Sequence, residues 1–201
     1  MEDQLSLPEL ILEVTAESLP LFTTLLQSGI EINCNDGLSM GHFLNELPGF
    51  TPEYISDIIQ TIFLNGTAED DMTTPLTGKN PVLALSAAMP GLAGAIFRKN
   101  SLHSALRTET RKKNTTESQS ESLTVTLKLF NSIAKERGAE LLKKGVNIPS
   151  ISIDNFLNRR ATLRQHIQAV QFEGVTIDKS DLLPILSENS KINIQIVSAH
   201  G

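Results

Sequence analysis

The chain has 201 residues, 40% of them hydrophobic and 20% charged, a composition typical of one large globular domain or two of about 100 residues. No run of 18 apolar residues occurs, which excludes a predicted membrane span, and the acidic start lacks the pattern of a signal peptide. The single cysteine, Cys34, cannot form an internal disulfide, so we expect a cytoplasmic protein.

Charge is divided unevenly along the chain. Residues 1–100 hold 3 Lys or Arg and 13 Asp or Glu, whereas residues 101–201 hold 14 and 10. Two interpretations are open: attraction between the halves, within a chain or between chains, or two independently solvated surfaces. Aromatic residues make up only 4% and Trp is absent, so no stacking platform is predicted and we expect no nucleic-acid partner.

The first half predicts short strands alternating with short helices. Thr15 or Ser18 can cap the first helix, Ser39 the second, and the Thr51-Pro52-Glu53 sequence is a strong start signal for the third. Strands are predicted at 10–14, 30–32, 61–64 and 82–85. The apolar positions of the three helices are Leu21, Phe22, Leu25 and Leu26, then Phe43 and Leu44, then Ile55, Ile58 and Ile59. Asn65-Gly66 is a hairpin turn signal.

The second half predicts the same kinds of element. A helix is expected over residues 131–144, ended by Gly145, and another runs from Ser152 through Phe156 toward Ile167. The Glu173-Gly174 dipeptide predicts a turn between two short strands. The strands are predicted at 123–129, 169–172, 175–177 and 192–197.

Short sequences recur in the same order in the two halves. LLQSGIEI at 25–32 matches LLKKGVNI at 141–148, and IFLNGTAED at 62–70 matches VQFEGVTID at 170–178. We interpret this as a duplication, and the shared order of strand, helix, short strand, helix, strand, turn, strand predicts an α+β fold with a small mixed sheet and packed helices in each copy. The first repeat spans 1–106 with a Gly-rich extension at 88–106, a polar flexible or exposed linker spans 107–122, and the second repeat spans 123–201.

The second repeat carries the sequences that most resemble those of a known protein family. LKLFNSIAKERG at 127–138, VQFEGVTID at 170–178 and a final strand resemble the sulfur-carrier branch of the ubiquitin-like β-grasp family, which includes the molybdopterin-synthase small subunit and the thiamine sulfur carrier. The resemblance implies two tandem β-grasp-like units. Those carriers are activated at a C-terminal Gly-Gly, whereas this chain ends with His200-Gly201, so the sulfur-transfer role is not carried over.

The best candidate for a binding site lies in the Gly-rich extension. Two glycines three residues apart let backbone N–H groups approach an anion, and cationic side chains follow. The alternative interpretation is a tight turn or close backbone packing. The predicted ligand-binding residues are Met89, Pro90, Gly91, Gly94, Arg98, Lys99 and His103.

No other group of residues predicts chemistry. The four histidines lack metal-ligand spacing, the Asp70-Asp71 loop lacks the EF-hand pattern, and no nucleophile motif surrounds Ser86. We therefore expect no catalytic residue, metal or cofactor. The sequence favours a non-enzymatic binding or scaffolding protein, with a sulfur-carrier-related carrier or enzyme subunit, or an oligomer-forming assembly protein, as alternatives. The expected partner is another protein or a second copy in a homodimer, and not a membrane.

Overall fold

The computed structural model describes residues 6–87, 89, 91–99 and 122–199. Within those ranges the chain forms ten strands, and every strand expected from the sequence overlaps one of them. They are β1 Glu9–Val14, β2 Ile30–Asn35, β3 Thr61–Leu64, β4 Thr67–Ala68, β5 Val82–Ser86, β6 Ser122–Phe130, β7 Val146–Pro149, β8 Ile167–Phe172, β9 Val175–Ile177 and β10 Lys191–Ser198.

The described residues also form seven α-helices and three short 3-10 helices. The α-helices are α1 Leu19–Phe22, α2 Met40–Asn45, α3 Pro52–Asp57, α4 Gly91–Phe97, α5 Asn131–Lys144, α6 Ser150–Arg159 and α7 Leu182–Glu188. The 3-10 helices are Thr23–Gln27, Ala161–His166 and Lys179–Asp181. None of these helices has the length and apolar character needed to cross a bilayer.

Several helix ends follow the predicted local signals. The Ser39 hydroxyl accepts a hydrogen bond from the His42 N–H at 3.3 Å, and the Thr51 hydroxyl accepts one from the Tyr54 N–H at 3.2 Å. Both bonds satisfy first-turn N–H groups that have no partner within the helix. Helix α5 has the predicted bounds, and it is followed by Gly145 at a φ of 90°, a conformation that favours glycine.

Two regions differ from the sequence-based expectation. Helix α6 begins at Ser150, so Ser152 lies inside the helix instead of capping it. The single helix expected toward Ile167 is two segments, because Arg160 has non-helical φ and ψ of −131° and 58°. Ser122, assigned to the linker, is the first residue of β6, and the other linker residues, 107–121, lie outside the described residues.

The chain divides into two compact units. The first unit consists of Met1–Ile30 and Gly138–Gly201, and the second consists of Glu31–Arg137. These positions differ from the predicted boundaries of the repeats, since the divisions fall at the start of β2 and within α5. The repeats themselves stay a prediction.

The first unit contains five strands in the order β7-β10-β1-β8-β9. Strand β1 lies in the middle, parallel to β10 and antiparallel to β8, so that Leu12 is opposite both Ile196 and Val170. Alternate β1 side chains, Leu10, Leu12 and Val14, are fully buried. This alternation is the period-2 pattern by which a strand buries one face.

The second unit contains five strands in the order β4-β3-β5-β6-β2. Strands β5 and β6 are parallel, with Leu83 opposite Leu127 and Leu85 opposite Leu129, and all four side chains are fully buried. Strand β3 is antiparallel to β5. Both units therefore hold mixed sheets with helices, and the prediction of an α+β fold is confirmed at that level.

The opening strands of the two predicted repeats are exchanged. Strand β1, from the first repeat, lies between β10 and β8, which belong to the second. Strand β6, which opens the second repeat, lies between β5 and β2, which belong to the first. Each compact unit thus depends on hydrogen bonds between segments far apart in the sequence.

Candidate functional site

The predicted ligand-binding segment leads into helix α4 of the second unit. Five of its residues lie within the described part of the chain: Met89, Gly91, Gly94, Arg98 and Lys99. The remaining two, Pro90 and His103, lie outside the described residues.

Gly94 is buried against the main chain of Met89. A β-carbon at position 94 would lie 1.7 Å from the Met89 carbonyl oxygen and 2.7 Å from its carbonyl carbon. Only glycine fits this approach without moving the backbone. Close backbone packing, the alternative interpretation of this glycine, therefore accounts for its position.

Lys99 binds the C-terminal end of helix α3. Its Nζ donates to the carbonyl oxygens of Ile55 at 3.1 Å and Ser56 at 3.2 Å, and its backbone N–H donates to Gln60. A cation placed at carbonyls of a helix C-terminus is favoured by the helix dipole. Burial lowers the pKa of the Lys99 ammonium, and Asp70 and Asp57 act in the opposite direction.

Arg98 differs from its neighbour because its side chain is exposed. Its backbone N–H donates to the Gly94 carbonyl at 3.1 Å, while the ring of Phe97 packs 5.3 Å from the ring of Phe63. The structure therefore places Gly94 in a close backbone contact and Lys99 in hydrogen bonds to α3, and it leaves the Arg98 side chain exposed. Ligand binding by this segment stays a prediction.

A second group of side chains surrounds Tyr54, and the sequence analysis did not identify it. The Tyr54 hydroxyl donates to the Glu136 carboxylate at 2.8 Å, and the guanidinium of Arg137 lies 4.0 Å from the ring centroid. Phe50 meets the same ring edge-on at 5.7 Å. Burial, followed by the bond to Glu136, raises the pKa of Tyr54 to about 12. No local sequence signal identifies contacts between residues 82 positions apart.

An open groove of about 340 Å³ lies next to this group, at the turn between α2 and α3. Phe50 belongs to both features. The groove is lined by Asn45, Leu47, Gly49, Phe50, Thr51 and Pro52. Thr51 also accepts the capping bond of α3, so the turn that begins this helix forms part of the groove wall.

The other polar residues considered from the sequence take part in local structure. Asp71 Oδ1 accepts bonds from the N–H and hydroxyl of Thr73 at 2.9 and 2.6 Å, which closes the acidic loop on itself. The Ser86 hydroxyl accepts a bond from the Asn131 amide at 2.9 Å. These contacts hold turns and a strand end in place.

Cys34 and the described histidines show no constellation for nucleophilic or metal chemistry. Burial raises the pKa of the Cys34 thiol, and Glu46 and Asp36 act in the same direction, so the reactive thiolate is disfavoured. Within the described ranges, no group of three or more His, Cys, Asp or Glu side chains is placed to hold a metal ion. His103 and His200 lie outside those ranges.

Strand β9 forms an edge of the sheet in the first unit and carries exposed apolar surface. It pairs antiparallel with β8, with Val175 opposite Phe172 and Thr176 opposite Gln171. Val175 is 63% exposed. The connecting residues, Glu173 and Gly174, have φ of 49° and 75°, as a type I′ turn requires.

The turn determines where the backbone of β9 points. In a two-residue hairpin the closing pair, here Phe172 and Val175, exchanges both hydrogen bonds. Backbone direction alternates along the strand, so the N–H and C=O of Thr176 point away from β8. This outward pair offers a hydrogen-bonding position to another extended chain. The sequence predicted the strand, but its exposed edge is a property of the sheet order.

Strand β4, the first in the strand order of the second unit, is less available for pairing. Strand β4 has only two residues, Thr67 and Ala68, and an acidic loop follows it. Short edge strands and adjacent charges are common ways to discourage pairing with another chain.

Comparison of the chain with protein-family models, curated proteins and solved structures found no match.

Proposed function

We propose that this chain is a cytoplasmic, non-enzymatic binding or scaffolding protein built from two β-grasp-like repeats, and that β9 is its main contact strand. The observation that carries the proposal is the β9 edge, which pairs only with β8 among the described strands and where Val175 is 63% exposed. Residues Val175–Ile177 include no Lys or Pro, the side chains that usually protect edge strands. Such an edge can accept an extended polypeptide as an additional strand.

The recurring element order supports the β-grasp-like part of the proposal. In both halves a strand and helical turns precede a short strand, a helix, and then a hairpin and final strand. The two hairpin turns have matching geometry, because Asn65-Gly66 has φ of 52° and 80° and Glu173-Gly174 has 49° and 75°. Equivalent turns at equivalent places are expected of a duplicated module.

The binding proposal is tested by photo-crosslinking in extracts of the native cell. A photoreactive amino acid at Asp178, which is exposed beside the end of β9, should form crosslinks to another polypeptide chain. The change Thr176→Pro removes the outward N–H of β9 and should abolish them. Ala68→Pro is the matched control, because Ala68 holds the same place after the Asn65-Gly66 turn and its N–H points away from β3, and it should leave the crosslinks unchanged.

Two outcomes separate the possibilities. Crosslinks that persist in Thr176→Pro would overturn the role of β9. Crosslinks lost instead in Arg98→Glu would favour the Gly-rich segment as the binding surface, because the Arg98 side chain is exposed there. The carrier alternative stays a prediction, and intact-mass measurement tests it by detecting or excluding a thiocarboxylate at Gly201.

A further inference from the structure

We propose that Asn65 is a chemical modification site, where the side-chain carboxamide reacts with the backbone nitrogen of Gly66 and is converted to a carboxylate. The proposal does not depend on the contact role of β9. Asn65-Gly66 is the only Asn-Gly pair in the sequence, and both residues are exposed in the turn between β3 and β4. A glycine nitrogen is the least hindered backbone nitrogen, because glycine has no β-carbon.

The reaction is an intramolecular displacement that needs only water as a co-reactant. The Gly66 nitrogen attacks Asn65 Cγ and forms a new C–N bond, while its proton and the carboxamide nitrogen leave as ammonia. Water then opens the cyclic succinimide at one of its C–N bonds. Cleavage at Cγ gives aspartate, and cleavage at the Asn65 carbonyl carbon gives isoaspartate, in which the main chain runs through Cγ. Nothing is oxidised or reduced.

The attacking nitrogen is available in this turn. Among the described residues, the Gly66 N–H donates no hydrogen bond. The Asp36-Gly37 pair could form the same ring, but there the Gly37 N–H donates to the Leu76 carbonyl at 2.9 Å. The free N–H therefore distinguishes Gly66 from Gly37 as a nucleophile.

The carboxamide of Asn65, in contrast, is held in the sheet. The Asn65 N–H donates to the Val82 carbonyl at 2.8 Å, and Asn65 Oδ1 accepts from the Val82 N–H at 2.9 Å. The side chain thus supplies the acceptor that a backbone carbonyl would offer if the antiparallel strand continued beyond the Leu64–Leu83 pair.

The turn conformation also keeps the two reacting atoms apart. Asn65 and Gly66 have φ of 52° and 80°, as the central residues of a type I′ turn do. In that turn the nitrogen after the first central residue points away from the β-carbon of that residue. Asn65 must therefore leave the turn conformation before the ring can close, so local opening of this hairpin end controls the rate.

The corresponding turn of the first unit shows that an acid is accepted at this place. The Glu173 N–H donates to the Glu9 carbonyl at 3.0 Å, and the Glu173 carboxylate accepts from the Glu9 N–H. Glu9 begins β1 as Val82 begins β5. An aspartate at position 65 can therefore keep the acceptor role, whereas isoaspartate lengthens the main chain by a methylene group and disrupts the two-residue turn.

The test follows residue 65 by peptide mapping with mass spectrometry while the purified full chain is kept at mildly alkaline pH. In native buffer, conversion at Asn65 should exceed that at every other asparagine of the described ranges. A sample unfolded in urea should convert about tenfold faster, because opening breaks the two hydrogen bonds to Val82. Asn65→Gln, which would have to close a larger ring, is the control and should stay unconverted.

The outcomes are separable. A native chain with no conversion at Asn65, after the urea-unfolded sample has been half converted, would overturn the site. Equal rates in the two conditions would overturn control by local opening. After separation by anion exchange, the isoaspartate form should unfold at a lower urea concentration than Asn65→Asp, and identical midpoints would refute the dependence of the turn on main-chain length.

Discussion

The α-carbon of Gly94 packs against the carbonyl oxygen of Met89, and a β-carbon at position 94 would lie 1.7 Å from that oxygen. The contact joins helix α4 to the chain that leads into it. This close contact explains why glycine is needed at position 94, the second glycine of the Gly91–Gly94 pair. Gly91, the other glycine, has open space around its α-carbon but a φ of 68°.

The two glycines should therefore differ in their sensitivity to alanine. We expect Gly94→Ala to lower the free energy of unfolding by about 3 kcal/mol, because the backbone must move to relieve the overlap. Gly91→Ala should cost about 1 kcal/mol, the strain of a positive φ alone. Urea denaturation of the two variants checks this order, and equal losses would contradict the close contact.

Tyr54 should make stability depend on pH in the alkaline range. Its pKa is raised from 10.0 to about 12 in the folded chain, first by burial and then by Glu136. As pH rises from about 10 to 12, the unfolded chain loses the phenolic proton before the folded chain does, so the free energy of unfolding should fall. Below about pH 10 the phenol is protonated in both states, so Tyr54 should no longer make the free energy of unfolding depend on pH.

The measurement is direct because Tyr54 is the only tyrosine and Trp is absent. Phenolate absorbance of the folded chain should reach its midpoint well above that of the chain in urea. Tyr54→Phe should lose the alkaline slope and cost about 1 kcal/mol at neutral pH, from the bond to Glu136. A folded-state midpoint near pH 10 would refute the buried environment.

Lys99 and Arg98 should contribute differently to stability. Lys99→Met keeps the aliphatic stem but removes two bonds from Nζ to α3 carbonyls, and we expect a loss of about 1–2 kcal/mol in the free energy of unfolding. Arg98→Met, at the exposed neighbour, should lower it less, because solvent screens the interactions of an exposed charge. Thermal and urea unfolding of the pair measure the difference, and the reverse order would show that α3 does not depend on Lys99.

The exchanged strands should hold the two halves of the chain together after cleavage. If a protease site is inserted between residues 107 and 121 and cut, the fragments should co-elute, because β1 lies between β8 and β10 and β6 lies beside β5. They should separate only in denaturant. A fragment of residues 1–106 expressed alone should fail to fold, and independent folding of both fragments would contradict the exchange.

The sequence predicted features that a few neighbouring residues determine. The Ser39 and Thr51 caps, the bounds of α5 and the turns at Asn65 and Glu173 depend on side chains or φ values within one turn of chain. The break at Arg160 and the helices α4 and α7 were missed, because no cap or long periodic pattern marks them.

Local sequence alone thus determined where strands, turns and most helices form, because their energies arise between residues close along the chain. Only the tertiary structure decided that β1 joins β8 and β10, that Tyr54 meets Glu136, and that β9 is left at an edge. The choice of a strand's neighbours depends on packing between distant segments, and many pairings satisfy the same alternating pattern. The β9 edge, the surface proposed to bind a partner, is therefore set by tertiary packing and not by local sequence.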